Sequence, residues 1–268
     1  MEIIKMQVQK VETDQEIMTR LENRFTILEN MTRAVKRGDV RSMIVSGPPG
    51  VGKSFGVERV LSLHETLANV ASDPSLKAYE IVKGTMSPLH LYLQLYMYKE
   101  KKDIIVFDDC DSVLLNDESL GLLKTALDSS ARRIISWHKA SRVLAEAGIP
   151  NQFEFKGGCI FITNMKFSNI RSKKLRDHLE ALESRSHYLD LTIDTPREKV
   201  LRIKQLVEAG MLHKFHIGEE YETAIMDFVY KHKSNMRELS LRSVVKAAEL
   251  VKSFGADWES FAEQTLCD

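Results

Sequence analysis

Cysteine is scarce in this chain. Three occur in 268 residues, at Cys110, Cys159 and Cys267, odd in number and widely spaced. That pattern excludes a disulfide framework and predicts reduced thiols in a cytosolic compartment. Net charge is also missing: Lys and Arg total 38, as do Asp and Glu. Contact with nucleic acid would have to come from a local patch, not from a basic chain. No apolar run approaches the roughly 20 residues of a membrane span, so no membrane partner is expected. The opening MEIIKMQVQKVETDQ lacks a basic start followed by a long apolar core, and no signal peptide is expected there. Internal repeats and low-complexity tracts are absent. The eight histidines form no metal-ligand pattern, and no nucleophile-triad spacing is evident. His213 and His216, in LHKFHIG, read as structural or surface residues.

What is present is an ordinary globular composition, 43% apolar and 28% charged, long enough for one large domain or two small ones. Apolar residues at three- and four-residue steps (Met18, Leu21, Phe25, Leu28, Met31) predict an amphipathic helix over 14–36, with Gly38 just past its end. Short apolar runs then alternate with helical stretches. SMIVS precedes a helix from Lys53 to about Ala68, YEIVK a helix near 88–99, and DIIVF a helix near 117–128. CIFIT precedes a helix near 172–183, and HYLDLTI comes last. This alternation predicts an α/β fold: a parallel sheet with helices on both faces. At Thr195 the pattern changes. Thr195, Pro196 and Glu198 make a capping box with proline at the first helical position. Only helices are expected beyond it, near 196–209, 219–232, 236–252 and 257–265. The expected division is an α/β domain over 1–194 and a small all-α domain over 195–268.

The stretch GPPGVGKS fits G-x-x-x-x-G-K-[ST] without a mismatch, between a strand and a helix. Gly47, Gly50 and Gly52 let the backbone curl so that its N–H groups face phosphate oxygens, while Pro48, Pro49 and Val51 complete the loop. The helix that begins at Lys53, with Phe55 in its first turn, adds its positive end. Lys53 is expected to reach the β- and γ-phosphates of ATP, and Ser54 to coordinate magnesium. DIIVFDDCD supplies the second half. Asp108 is expected beside Ser54 on the metal, and Asp109 to orient and deprotonate the attacking water.

In these motifs the chain resembles the AAA+ ATPases, and the resemblance covers nearly its whole length. Asn164, at the end of CIFITN, matches the family's sensor 1. Arg185, in ALESRSHYLDL, looks like the arginine finger, and most resembles the Ser-Arg pair of clamp loaders. Arg237, in NMRELSLRSVV, stands near the start of a lid helix, where the family's sensor 2 arginine touches the γ-phosphate. The C-terminal helices are similar to the family's lid. The family usually has Glu directly after the metal aspartate. Asp109 is one methylene shorter, which leaves slow turnover open and makes Asp111 the next candidate base. The resemblance implies an ATP- and magnesium-dependent hydrolase acting as a homo-oligomeric, hexameric ring.

Its setting is expected to be DNA metabolism. The alternatives are a protein-remodelling chaperone of the same fold, or a nucleotide-gated assembly module that hydrolyses little. No aromatic-apolar-Gly triplet follows the second strand, so Tyr92, Tyr96 and Tyr98 read as a helix face, not a channel. The longer excursion over 132–158 has two strand-like pieces joined by a short helix. Arg132, Arg133, Trp137, His138, Lys139 and Arg142 could meet DNA or a protein partner, or Trp137 could be core beneath a solvated cationic rim. A second basic cluster (Arg171, Lys173, Lys174, Arg176) faces a neighbouring subunit or is a polar helix face. A bare ATPase core of this kind resembles bacteriophage-encoded proteins, which would place it in the host cytoplasm.

Overall fold

Three strands of the sheet are buried at every residue, which happens only when both of its faces are covered. They are β1 (Ser42–Ser46), β3 (Ile104–Asp108) and β6 (Gly158–Thr163). The structure is a computed structural model that describes residues 12–71 and 79–268. The start of the chain, where no signal peptide is expected, lies outside the described residues. The described chain divides into two compact units, one of residues 25–192 and one of 12–24 with 193–268.

In the first unit, β2 (Tyr79–Lys83) and β7 (His187–Asp190) complete a parallel sheet of order β2-β3-β6-β1-β7. This is the fold class that the alternation of strands and helices predicts. Between the strands run α2 (Lys53–Ala71), α3 (Pro88–Met97), α4 (Asp117–Ala126) and α6 (Lys173–Glu183). Local chemistry sets their starts. The side chains of Ser87, Asn116 and Ser172 each accept a backbone N–H in the first turn of the helix that follows. The remainder of α1 (Asp14–Arg37) belongs here from Phe25 onward, and Gly38 follows it at φ +77°. A Cβ on Gly158 would lie 2.7 Å from Val35, so helix and strand approach too closely for any larger residue. The core joins Ile44, Leu91, Tyr92, Phe107, Leu123, Phe155 and Phe161. Phe107 and Phe161 stack with centroids 5.0 Å apart. Each such side chain contributes about 1.5–3 kcal/mol on burial.

The excursion forms a small antiparallel hairpin, β4 (Ile134–Ser136) with β5 (Gln152–Glu154), linked by α5 (Arg142–Glu146). Tyr92 is fully buried and donates to Pro150 O at 2.7 Å, and Tyr96 packs edge-on against Phe153, so these two tyrosines cover a face of α3, while Tyr98 caps its end.

In the second unit, α7 (Pro196–Glu208), α8 (Glu219–His232), α9 (Leu241–Phe254) and α10 (Trp258–Leu266) share a core that includes Leu206, Phe228, Val244 and Trp258. Asp14–Arg24 of α1 belongs to this unit. The Thr195–Glu198 capping box is formed. Glu198 also accepts from Arg20 at 2.8 Å. One expectation is corrected: α9 begins at Leu241, capped by Ser240, not at residue 236. Met236 instead pairs with Cys267 in an antiparallel bridge, and Arg237 N donates to Leu266 O at 2.9 Å. That pairing holds residues 236 and 237 outside the helix.

Candidate functional site

The carboxyl ends of parallel strands are where α/β sheets bind ligands. Ser46, Asp108 and Thr163 close β1, β3 and β6 at that edge, and all three are buried. Beyond Ser46 the chain turns through Gly47, Gly50 and Gly52 at φ +153°, +69° and +97°, values that L side chains rarely adopt. A Cβ on Gly47 would also stand 3.0 Å from the Leu191 carbonyl. Pro48, Pro49 and Val51 lie between these glycines, and Val51 is buried. Phe55 is exposed on the first turn of α2, beside Arg59. Lys53 is 5% exposed. Its ammonium donates to Gly47 O at 2.7 Å, Pro48 O at 2.8 Å and Asn164 Oδ1 at 2.7 Å.

Ser54 Oγ donates to Asp108 Oδ1 at 2.8 Å. The other carboxylate oxygen meets Lys83, whose Nζ lies 3.2 Å from Oδ2 and 2.9 Å from Glu58 Oε1. Lys83 is a side chain at this edge that the linear motif does not reveal. Strand register delivers it, since Lys83 pairs with Asp108 across β2 and β3. The legible signal is a cation ending the strand YEIVK. Hydrogen bonding to Glu58 raises the Lys83 pKa; burial opposes the rise and Asp108 adds to it.

Asp109 leaves the strand at φ +50°, its N–H bonded to Ile162 O at 3.0 Å. This turn points its carboxylate at Asn164, whose Nδ2 donates to Asp109 Oδ1 at 2.9 Å. Asp111 is engaged elsewhere, accepting from Thr163 Oγ1 at 2.8 Å. Burial raises the Asp111 pKa, against the opposing effect of the Thr163 hydrogen bond.

The structure thus brings Lys53, Ser54, Asp108, Asp109 and Asn164 together. Arg185 has other partners: Nη1 donates to Ala181 O at 2.6 Å, and Nε lies 3.8 Å from Asp128. It lines a groove of about 590 Å³ with Lys124, Asp128 and Arg132. Arg237 belongs to the second unit, where it bonds Thr265 O at 3.4 Å and lies 3.6 Å from Asp268. In the excursion, two of the expected contact residues face inward. Arg133 is buried, donating to Ala126 O at 2.7 Å and to Gly157 O at 3.2 Å. Trp137 is buried against Tyr92. Arg132 and Lys139 are exposed, each beside a carboxylate, Glu154 and Glu118 respectively. In the second basic cluster Lys174 pairs with Asp117.

Chemically, the glycine loop and the Lys53 ammonium form a cradle suited to phosphate oxygens. The hydroxyl of Ser54 and carboxylate of Asp108 are hard oxygen donors of the kind magnesium takes. No described helix is long and apolar enough to cross a membrane.

No family model matches the chain. Several solved structures are similar at low identity. The replication initiator DnaA bound to AMPPCP and single-stranded DNA has TM-score 0.48 and 12% identity, over 89% of this chain. This chain spans 63% of that one. The ORC2 protein of Aeropyrum pernix in its ADP form has TM-score 0.47 and 15% identity, over 92% of this chain and 68% of its own. A curated protein of Enterobacteria phage T4, the "uncharacterized 36.7 kDa protein in nrdC-mobD intergenic region", is 33% identical over 254 residues. The alignment covers 94% of this chain and 76% of the phage protein. The chain therefore belongs to the same family as this bacteriophage T4 protein.

Proposed function

We propose that the protein is a magnesium-dependent ATPase of AAA+ type that acts as an oligomeric, hexameric ring in DNA metabolism. The observation that carries this reading is the convergence of Lys53, Ser54, Asp108, Asn164 and Asp109 at the carboxyl edge of the sheet. Two parts divide the work: the α/β part that holds the nucleotide, expected over 1–194 but without Asp14–Arg24 of α1, which group with the helices, and a helical lid over 195–268.

In this reading the loop N–H groups and Lys53 bind the β- and γ-phosphates. Ser54 and Asp108 would hold magnesium, which would supply charge neutralisation for the phosphates. Asp109 takes a proton from water as its oxygen bonds to the γ-phosphorus and the bond to the β-phosphate oxygen breaks, giving ADP and phosphate. Asn164 holds the Asp109 carboxylate on one side and the lysine on the other. Arg185 serves the site of a neighbouring copy, and Arg237 reaches the γ-phosphate from the lid. The exposed cations Arg132 and Lys139 are the residues offered to DNA or a protein partner.

A second reading is favoured by one observation. Asp109 is short and already engaged by Asn164, as in a nucleotide-gated assembly module that turns over slowly. Phosphate release measured with single-stranded DNA, duplex DNA and no DNA separates these readings. Stimulation by either DNA, lost in Asp109→Asn, supports the ring ATPase in DNA metabolism. Turnover indifferent to DNA points to a protein-remodelling role. ATP binding with no turnover under any condition favours the assembly module.

A further inference from the structure

Both carboxylate oxygens of Asp108 are occupied. Oδ1 takes the Ser54 hydroxyl at 2.8 Å, a contact compatible with both groups sharing a metal ion. Oδ2 lies 3.2 Å from the Lys83 ammonium, so a metal ion on Oδ1 would share one carboxylate with a second cation, and two like charges so close repel. The lysine is not there by chance of rotamer. Parallel register sets Lys83 directly beside Asp108, so the backbone fixes the origin of its side chain. The second anchor, Glu58, stands four residues after Ser54 on α2, hence on the same helix face. Lys83 lies 2.9 Å from it. The two carboxylates therefore flank one ammonium. Asp108 is 6% exposed and Lys83 59% exposed, so the carboxylate is fixed while the lysine has room to swing.

We propose that Lys83 is a resident counter-ion of Asp108 that opposes a divalent ion there, and that Glu58, already in contact with the ammonium, retains it when the ion displaces it from Asp108. The inference rests on reading Asp108 and Ser54 as metal-holding residues. It makes Lys83 and Glu58 a pair that sets how much metal the site requires. With no divalent ion, Lys83 neutralises a nearly buried carboxylate. With one bound, the ammonium keeps a partner because Glu58 is already within reach. The two residues thus act on metal affinity with opposite sign.

The test uses the full chain saturated with ADP and titrated with Mn²⁺, with free and bound ion distinguished by electron paramagnetic resonance. Lys83→Met should bind Mn²⁺ tighter by roughly twofold to fivefold, the range that a partly exposed ion pair allows. Glu58→Gln should bind it more weakly by about threefold, because the displaced ammonium loses its second partner. In Glu58→Gln/Lys83→Met the Glu58 effect should vanish, leaving the affinity of Lys83→Met. Lys83→Gln, which keeps a polar tip, guards against a packing defect and should follow Lys83→Met. Unchanged or weaker Mn²⁺ binding in both Lys83 variants overturns the inference while leaving the site intact. Absence of Mn²⁺ binding in the ADP-loaded wild type overturns the reading of the site itself, and the inference with it.

Discussion

Lys53 and Asn164 are joined by a 2.7 Å hydrogen bond from the ammonium to the side-chain amide oxygen. The other end of that amide donates to Asp109 at 2.9 Å. One asparagine at the end of β6 thus links the loop lysine to the proposed base. Asn164→Ala removes the link without touching the glycine loop. ATP affinity should change less than about threefold, while turnover should fall about 10²-fold as Asp109 loses its orientation. Equal losses in affinity and turnover would place Asn164 in binding instead.

Asp109 sits at φ +50°, in the left-handed region that Asn and Asp tolerate better than other side chains. Asp109→Asn should therefore keep both fold and nucleotide binding and lose at least about 10²-fold in turnover, since shape is retained without basicity. Asp109→Ala should lose the same activity and also about 1 kcal/mol of stability. A melting comparison of the two variants checks the backbone argument; identical melting temperatures would remove it.

Arg185 tests the ring. Its guanidinium rests on Ala181 O and near Asp128 within its own chain. Supplied to a neighbour, such an arginine is worth roughly 10³–10⁵ in rate. Arg185→Ala should bind ATP normally and hydrolyse it poorly. Mixing it with Lys53→Ala should restore some activity, because that copy still offers its arginine to an intact pocket. No rescue at any ratio or concentration would make Arg185 act within its own chain or not at all.

The helical unit predicts a pH dependence. Burial pushes the Glu198 pKa up, but hydrogen bonds from Arg20 and Thr195 outweigh it and hold the pKa below the ordinary value of 4.5. A folded pKa below the unfolded one means that this stabilisation is present above pH 4.5 and lost as pH falls through the folded value. Glu198→Gln should therefore melt about 2–4 °C below wild type at pH 7, a loss of about 1 kcal/mol. The gap should close in acid. A gap of equal size at pH 7 and pH 3 would contradict the assignment.

The legible parts of the site were those written in consecutive residues. GPPGVGKS carries its own geometry, because glycines at three fixed places permit the turn and the next residue starts the helix. Asp108 and Asp109 were legible because a buried apolar strand ends at them. The Thr195 box was legible because capping is local. Lys83 was not legible, since its role depends on which strands pair and in what register, information separated by 25 positions along the chain. The inward turn of Arg133 was hidden for a similar reason: its partners are carbonyls at Ala126 and Gly157, which no side-chain pattern announces. The start of α9 was misplaced because the residues before it pair with the end of the described chain, a long-range contact that overrides helical periodicity.

The phosphate loop is where nucleotide binding would originate, and ATP affinity measures it. The Lys53 ammonium donates to two loop carbonyls and to Asn164. Calorimetric titration of ATP with magnesium into wild type and Lys53→Ala should give saturable binding in the first. In the second, affinity should be lower by about 10²-fold or more, equivalent to about 3 kcal/mol. Equal affinity in the two proteins, or no binding in the wild type, would contradict phosphate binding by this loop.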